Sequence, residues 1–129
     1  MSSNPHGREA FPAEFVQFRA EVIQFEFDSR VVVALSGELD LATAPILRAC
    51  LDSPVLQCTA DVEIDMAELT YLDSAGMSVL VQHWKDLNAS GGSLVVFNAS
   101  PMALKLFGIT GLTPLLLNRA EDRLLPMPR

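Results

Sequence analysis

Histidine and cysteine are scarce in this chain, with two of each among 129 residues, and it has a single tryptophan and a single tyrosine. Cys50 and Cys58 are too few for the disulfide framework of a small secreted domain, and with only His6 and His83 beside them they make no zinc-binding spacing. Both thiols are expected to be buried or partly buried, as small apolar side chains are. Positive charge is also in short supply. Nine Lys and Arg stand against sixteen Asp and Glu, a formal charge of −7, and a surface of that sign repels nucleic acid and anionic lipid. No apolar run approaches the roughly 18–20 residues that span a bilayer. The polar start Met1-Ser2-Ser3-Asn4-Pro5-His6-Gly7-Arg8 is not followed by a signal-type apolar block. Gly91-Gly92 lacks the lysine and hydroxyl of a phosphate-binding P-loop. The expectation is a cytoplasmic protein without metal or cofactor, binding neither nucleic acid nor membrane.

Apolar side chains are abundant, at 50% of the sequence, and the length suits one domain with a substantial core rather than two. Val22-Ile23-Gln24-Phe25-Glu26-Phe27 and Val31-Val32-Val33-Ala34-Leu35 flank Asp28-Ser29-Arg30, a pattern that predicts a β-hairpin with the latter as its turn. Thr43 precedes Ala44-Pro45, and proline is accepted in a first helical turn, so a helix is expected over 43–53, burying Ile46, Leu47, Cys50 and Leu51 and ended by Pro54. Asp61-Val62-Glu63-Ile64-Asp65-Met66 alternates like a half-buried strand. Met77, Leu80, Val81, Trp84 and Leu87 form one stripe of a helix over 74–88. After the break at Ser90-Gly91-Gly92, Leu94-Val95-Val96-Phe97 reads as a strand, and Ser100-Pro101 opens a helix closed near Gly108. Leu115-Leu116-Leu117 is expected as an edge strand and Glu121 to Leu125 as a last helical turn, before a tail over 126–129. Residues 1–20 form an expected leader, disordered at its start, in which the spacing of Phe11, Phe15 and Phe18 suits a short helix. Strands that alternate with helices after an initial hairpin imply parallel pairing through crossovers. The predicted fold is α/β: a mixed sheet of four to five strands flanked by about four helices, over residues 21–125.

One position in this scheme carries an exposed hydroxyl. Ser74 lies where the apolar segment ends and the long helix begins, on the helix face of Ser78, Gln82 and Lys85, beside backbone N–H groups that a helix start leaves unpaired. Asp73 or Ser74 suits the N-cap there. Phosphorylation of Ser74 would add roughly −1.5 to −2 charges at the positive end of the helix and next to Asp73. Catalysis by this chain is not expected. Ser74 has no G-x-S-x-G setting, and His83, nine residues further along the helix, is roughly 13 Å away. Asp65 lacks the early acidic cluster and late lysine of a phosphorelay receiver.

Four stretches, Leu35-Ser36-Gly37-Glu38-Leu39-Asp40, Thr43-Ala44, Leu69-Thr70-Tyr71-Leu72-Asp73-Ser74-Ala75-Gly76 and Val96-Phe97-Asn98-Ala99-Ser100-Pro101, occur in an order that resembles the STAS family, specifically bacterial anti-sigma factor antagonists. The resemblance covers about residues 20–125. It implies that Ser74 is the phosphorylation site and that the unphosphorylated protein captures a kinase-type anti-sigma factor, so freeing a sigma factor. That partner phosphorylates Ser74 with ATP, and a metal-dependent serine phosphatase resets the switch. The implied partner-facing edge comprises Glu38, Asp40, Thr43, Asp73, Ala75, Gly76, Ser78 and Gln82, on a protein expected to be monomeric. Ala75 stands where many relatives have a second serine, and Tyr71 where phenylalanine is common. The alternative is a non-switching STAS interaction subunit of a lipid-transport or stress-signalling complex.

Overall fold

The computed structural model describes residues 8–12, 17–26 and 28–112. Five strands form one sheet in sequence order: β1 (Arg8–Pro12), β2 (Phe18–Phe25), β3 (Asp28–Leu39), β4 (Asp61–Leu72) and β5 (Ser93–Phe97). The first three pair antiparallel and β3-β4-β5 pair parallel. Parallel neighbours need long crossovers. These are supplied by α1 (Ala44–Leu51) with α2 (Pro54–Gln57), and by α3 (Ser74–Ala89), while α4 (Pro101–Thr110) follows the last strand.

The period of two decides which side chains form the core. Phe18, Ala20 and Val22 of β2, Val31, Val33 and Leu35 of β3, Val62, Ile64 and Met66 of β4, and Leu94 and Val96 of β5 join one buried cluster. Leu47, Cys50 and Leu51 of α1, Met77, Leu80 and Leu87 of α3, and Phe107 of α4 complete it. Out-of-phase residues carry polar groups: Arg30 bonds Asp28 at 2.7 Å and Glu63 at 2.8 Å and lies 4.9 Å from the centre of the Phe25 ring.

Several expectations change. Among its described residues the segment expected as a leader contains strand, not helix: β1 pairs with β2, and Phe18 opens β2 with its side chain in the core. Phe18, Ala20 and Val22 continue the strand alternation upstream, which overrides the helical spacing from Phe11; Phe15 lies outside the described residues. Asp28 to Arg30 belong to β3 rather than to a turn, because Asp28 already pairs with Phe25 and its carboxylate anchors Arg30. Pro54 does not only end a helix: it opens α2, being accepted in a first turn. The last helix runs to Thr110 and closes at Gly111, in the left-handed conformation that favours glycine, not at Gly108. The expected strand at 115–117 and turn at 121–125 lie outside the described residues. Cys50 is buried as expected, whereas Cys58 is exposed.

Candidate functional site

Strand β3 runs four residues beyond its apolar segment at Val31–Leu35, β4 runs six beyond its alternating segment at Asp61–Met66, and the two end together. Glu38 lies opposite Tyr71 and Leu39 opposite Leu72. Two register shifts precede this end, between Ala34 and Ser36 and between Gly37 and Glu38, irregularities that bend and twist a strand pair. Gly37 sits at φ +88°, and a Cβ on it would lie 1.8 Å from the carbonyl oxygen of Gln17, so only glycine fits.

Beyond β3 the chain turns at once. The Asp40 carboxylate accepts from the N–H groups of Ala42 (3.0 Å) and Thr43 (3.1 Å). The Thr43 hydroxyl donates to the Glu38 carbonyl at 2.8 Å and accepts from the Asp40 N–H at 2.9 Å. Beyond β4, Asp73 is extended and its N–H donates to the Leu39 carbonyl at 3.2 Å, tying the two strand ends together. Its carboxylate caps α3, accepting from Ala75 N–H at 2.9 Å and Gly76 N–H at 3.3 Å. Asp73, not Ser74, is therefore the cap. Ser74 is the first residue of α3, and its side chain is exposed.

The expected site residues divide by burial. Glu38, Asp40 and Asp73 line one open cavity of about 680 Å³ together with Leu41, Ala42 and Tyr71. Ser74, Ser78 and Gln82 form an exposed stripe along α3. Ser78 Oγ donates to the Ser74 carbonyl at 2.9 Å, and Gln82 Nε2 to Asp86 at 3.2 Å. Thr43 and Gly76 are buried and Ala75 is half-buried. Thr43 pins the turn, and Gly76 seats the helix: a Cβ there would lie 2.5 Å from Leu39 Cγ. Among the described residues no group of three or more His, Cys, Asp or Glu is placed to hold a metal.

Two features escaped the sequence reading. Leu41 is exposed at the cavity mouth, and hydropathy alone does not separate such a leucine from a core one. His83 is buried on α3, and its Nε2 takes no hydrogen bond. Burial holds its pKa below the ordinary value, against the opposing pull of Asp86 and Asp52 and with a smaller contribution from Arg48. Its spacing from Leu80 and Leu87, i, i+3, i+7, was the available signal. Correspondingly Val81 and Trp84, expected in the stripe, are only half-buried, and Val79 is buried.

A mixed sheet whose adjacent parallel strands deliver a capped helix, an exposed serine and a carboxylate-lined cavity to one edge defines an α/β interaction domain. The chain belongs to the STAS domain family, whose model matches residues 22–123. It is similar to the anti-sigma-B factor antagonist of Bacillus subtilis, 38% identical over 75% of this chain and 86% of that protein. Among solved structures it is similar to the anti-sigma factor antagonist SpoIIAA in its unphosphorylated form, with a TM-score of 0.65 at 25% identity over 84% of this chain and 92% of the other. The phosphorylated form of SpoIIAA from Bacillus gives a TM-score of 0.61 at 25% identity, over 84% and 96%.

Proposed function

We propose that this chain is an anti-sigma factor antagonist switched by phosphorylation of Ser74. Unphosphorylated, it binds a kinase-type anti-sigma factor and thereby releases a sigma factor. The bound kinase phosphorylates Ser74 and ends the complex, and a metal-dependent serine phosphatase restores the hydroxyl. The observation that carries this reading is the division of labour at the start of α3: Asp73 takes the helix amides, which leaves the Ser74 side chain exposed, next in sequence to the cavity-lining Asp73. The names of the relatives support it over a non-switching subunit. So does the existence of SpoIIAA in phosphorylated and unphosphorylated forms.

In the transfer, Ser74 Oγ forms a bond to the γ-phosphorus of ATP and the bond from that phosphorus to the β,γ-bridging oxygen breaks, with ADP, still held by the kinase, as the leaving group. The hydroxyl proton passes to a base of the kinase. The product places the new phosphate against both Asp73 and the ADP phosphates. Like charge and lost hydration then oppose the complex, and even about 3 kcal/mol weakens binding roughly a hundredfold. The protein acts as a monomer in the cytoplasm, without nucleic acid or membrane. Its acidic charge supports this, and among the described residues no helix is long and apolar enough to cross a membrane.

The test compares wild-type, Ser74→Ala and Ser74→Asp for capture of the kinase from host lysate and then for affinity to the purified kinase. The expected result is persistent binding by the alanine variant and roughly hundredfold weaker binding by the aspartate variant. Equal affinities of the two variants would overturn the mechanism.

A further inference from the structure

We propose that Leu41 and Tyr71 are the apolar anchor through which the kinase-type partner grips this site, and that the gripping segment presents an aliphatic side chain flanked by Lys or Arg. This rests on the anti-sigma antagonist reading and adds to it the chemistry of the contact.

The leucines that border the same loop are wholly buried: Leu39 before it and Leu47 after it show no exposure. Leu41 is 78% exposed. It sits in a turn fixed by the Asp40 carboxylate and the Thr43 hydroxyl, so its display is built into the fold. Tyr71, 43% exposed, lines the same cavity, and it shares a second, smaller hollow with Met102, 46% exposed. Tyr71 is of the residue type enriched among interface anchors, and Leu41, lining the same cavity, adds apolar surface that the fold itself leaves uncovered.

The charge around them selects the occupant. Glu38, Asp40 and Asp73 line the cavity, and among the described residues no Lys or Arg does. A second copy of this chain docked face to face would set three carboxylates against three, an arrangement that costs affinity. A segment with a basic flank is complementary and is drawn to the site at long range. Cations over the cavity and the nucleotide phosphates over Ser74 occupy different parts of the partner. Phosphorylation therefore ends binding at the serine without any change at the anchor.

Binding is measured in the Ser74→Ala background, which cannot be phosphorylated, against the purified anti-sigma kinase of the host. Leu41→Ala and Tyr71→Ala are each expected to weaken the Kd by about tenfold or more, chiefly through faster dissociation, with Leu41→Met staying within about threefold of the parent. Glu38→Gln is expected to slow association and reduce its dependence on salt. Ile109→Ala, exposed but outside both cavities, is the control and stays within about twofold. All variants should melt with the parent, since these side chains lie on the surface. If Leu41→Ala and Tyr71→Ala bind within about twofold of the parent while the parent binds, the anchor is wrong and the proposed function stands. If the parent itself binds no kinase, the proposed function fails and the anchor with it. A dimer in sedimentation that Leu41→Ala dissolves would assign the patch to a second copy and overturn the proposal.

Discussion

Replacing Gly76 by alanine sets two known effects against each other, and the geometry decides between them. Within a helix interior the change favours folding by about 1 kcal/mol, and near the first turn of α3 the gain is smaller. Against it stands the packing under the helix start. The added Cβ would lie 2.5 Å from Leu39 Cγ, 2.8 Å from Leu39 Cδ2 and 3.1 Å from Leu72 Cδ1, where carbon atoms at rest keep about 3.5–4.0 Å. Leu39 is wholly buried and Leu72 nearly so, so neither can swing into solvent. Inserting a methyl into such a site costs about 1–3 kcal/mol, and net destabilisation is expected. For a domain of this size that lowers Tm by several degrees, about 3–6 °C per kcal/mol. The assay is thermal unfolding of a double-mutant cycle with Leu39→Ala, which makes the missing room. Leu39→Ala alone costs about 2–5 kcal/mol. The pair should be more stable than the sum predicts by about 1 kcal/mol or more, because residues in contact do not add. A higher Tm for Gly76→Ala, or strict additivity in the cycle, would refute the close approach of α3 to the end of β3.

Two further outcomes follow from the same geometry. Asp73→Ala removes the cap of α3 and should destabilise the protein by about 1 kcal/mol, while Asp73→Asn, which keeps an acceptor oxygen, should lose much less; equal losses in chemical denaturation would exclude the cap. Because burial lowers the pKa of His83, the unfolded chain takes up the proton more readily than the folded one. The stabilising effect of a neutral His83 is thus full above the unfolded value of about 6.5 and declines as pH falls towards the folded value. His83→Leu should flatten the loss of stability between about pH 7.5 and 5.5, and parallel pH profiles in urea unfolding would show that His83 does not contribute.

The sheet was readable where burial imposed alternation, as at Asp61 to Met66, and where a short run was apolar throughout, as at Val31 to Leu35. It was not readable where the strands leave the helices' cover. Residues 67–72 of β4 mix exposed Ala67, Glu68, Thr70 and Tyr71 with buried Leu69 and Leu72, so the periodicity fades although the ladder to β3 continues. The helix start was legible because Asp73-Ser74 carries capping chemistry of its own. The phase of α3 was less so: Trp84 is more apolar than His83, yet α1 packs on the side that buries the histidine. Thr43 illustrates a further limit. Its place in the motif marks it as important, but only its burial and the hydrogen bonds of its hydroxyl show that it holds the turn.

Both loops of the site leave from the same end of two neighbouring parallel strands, joined by the bond from Asp73 N–H to the Leu39 carbonyl. The surface proposed for a partner thus draws on two short pieces, residues 38–42 and 71–74, of which Leu39 and Leu72 turn into the core while Glu38, Leu41, Ala42, Tyr71 and Ser74 are exposed. At those exposed positions partner choice can then change with little effect on fold stability, whereas Leu39, Leu72 and the Asp73 cap are held by the fold. A cell holding several such domains could keep their signalling routes apart by changing a few side chains in those pieces, and grafting both pieces onto a relative should carry this chain's selectivity with them.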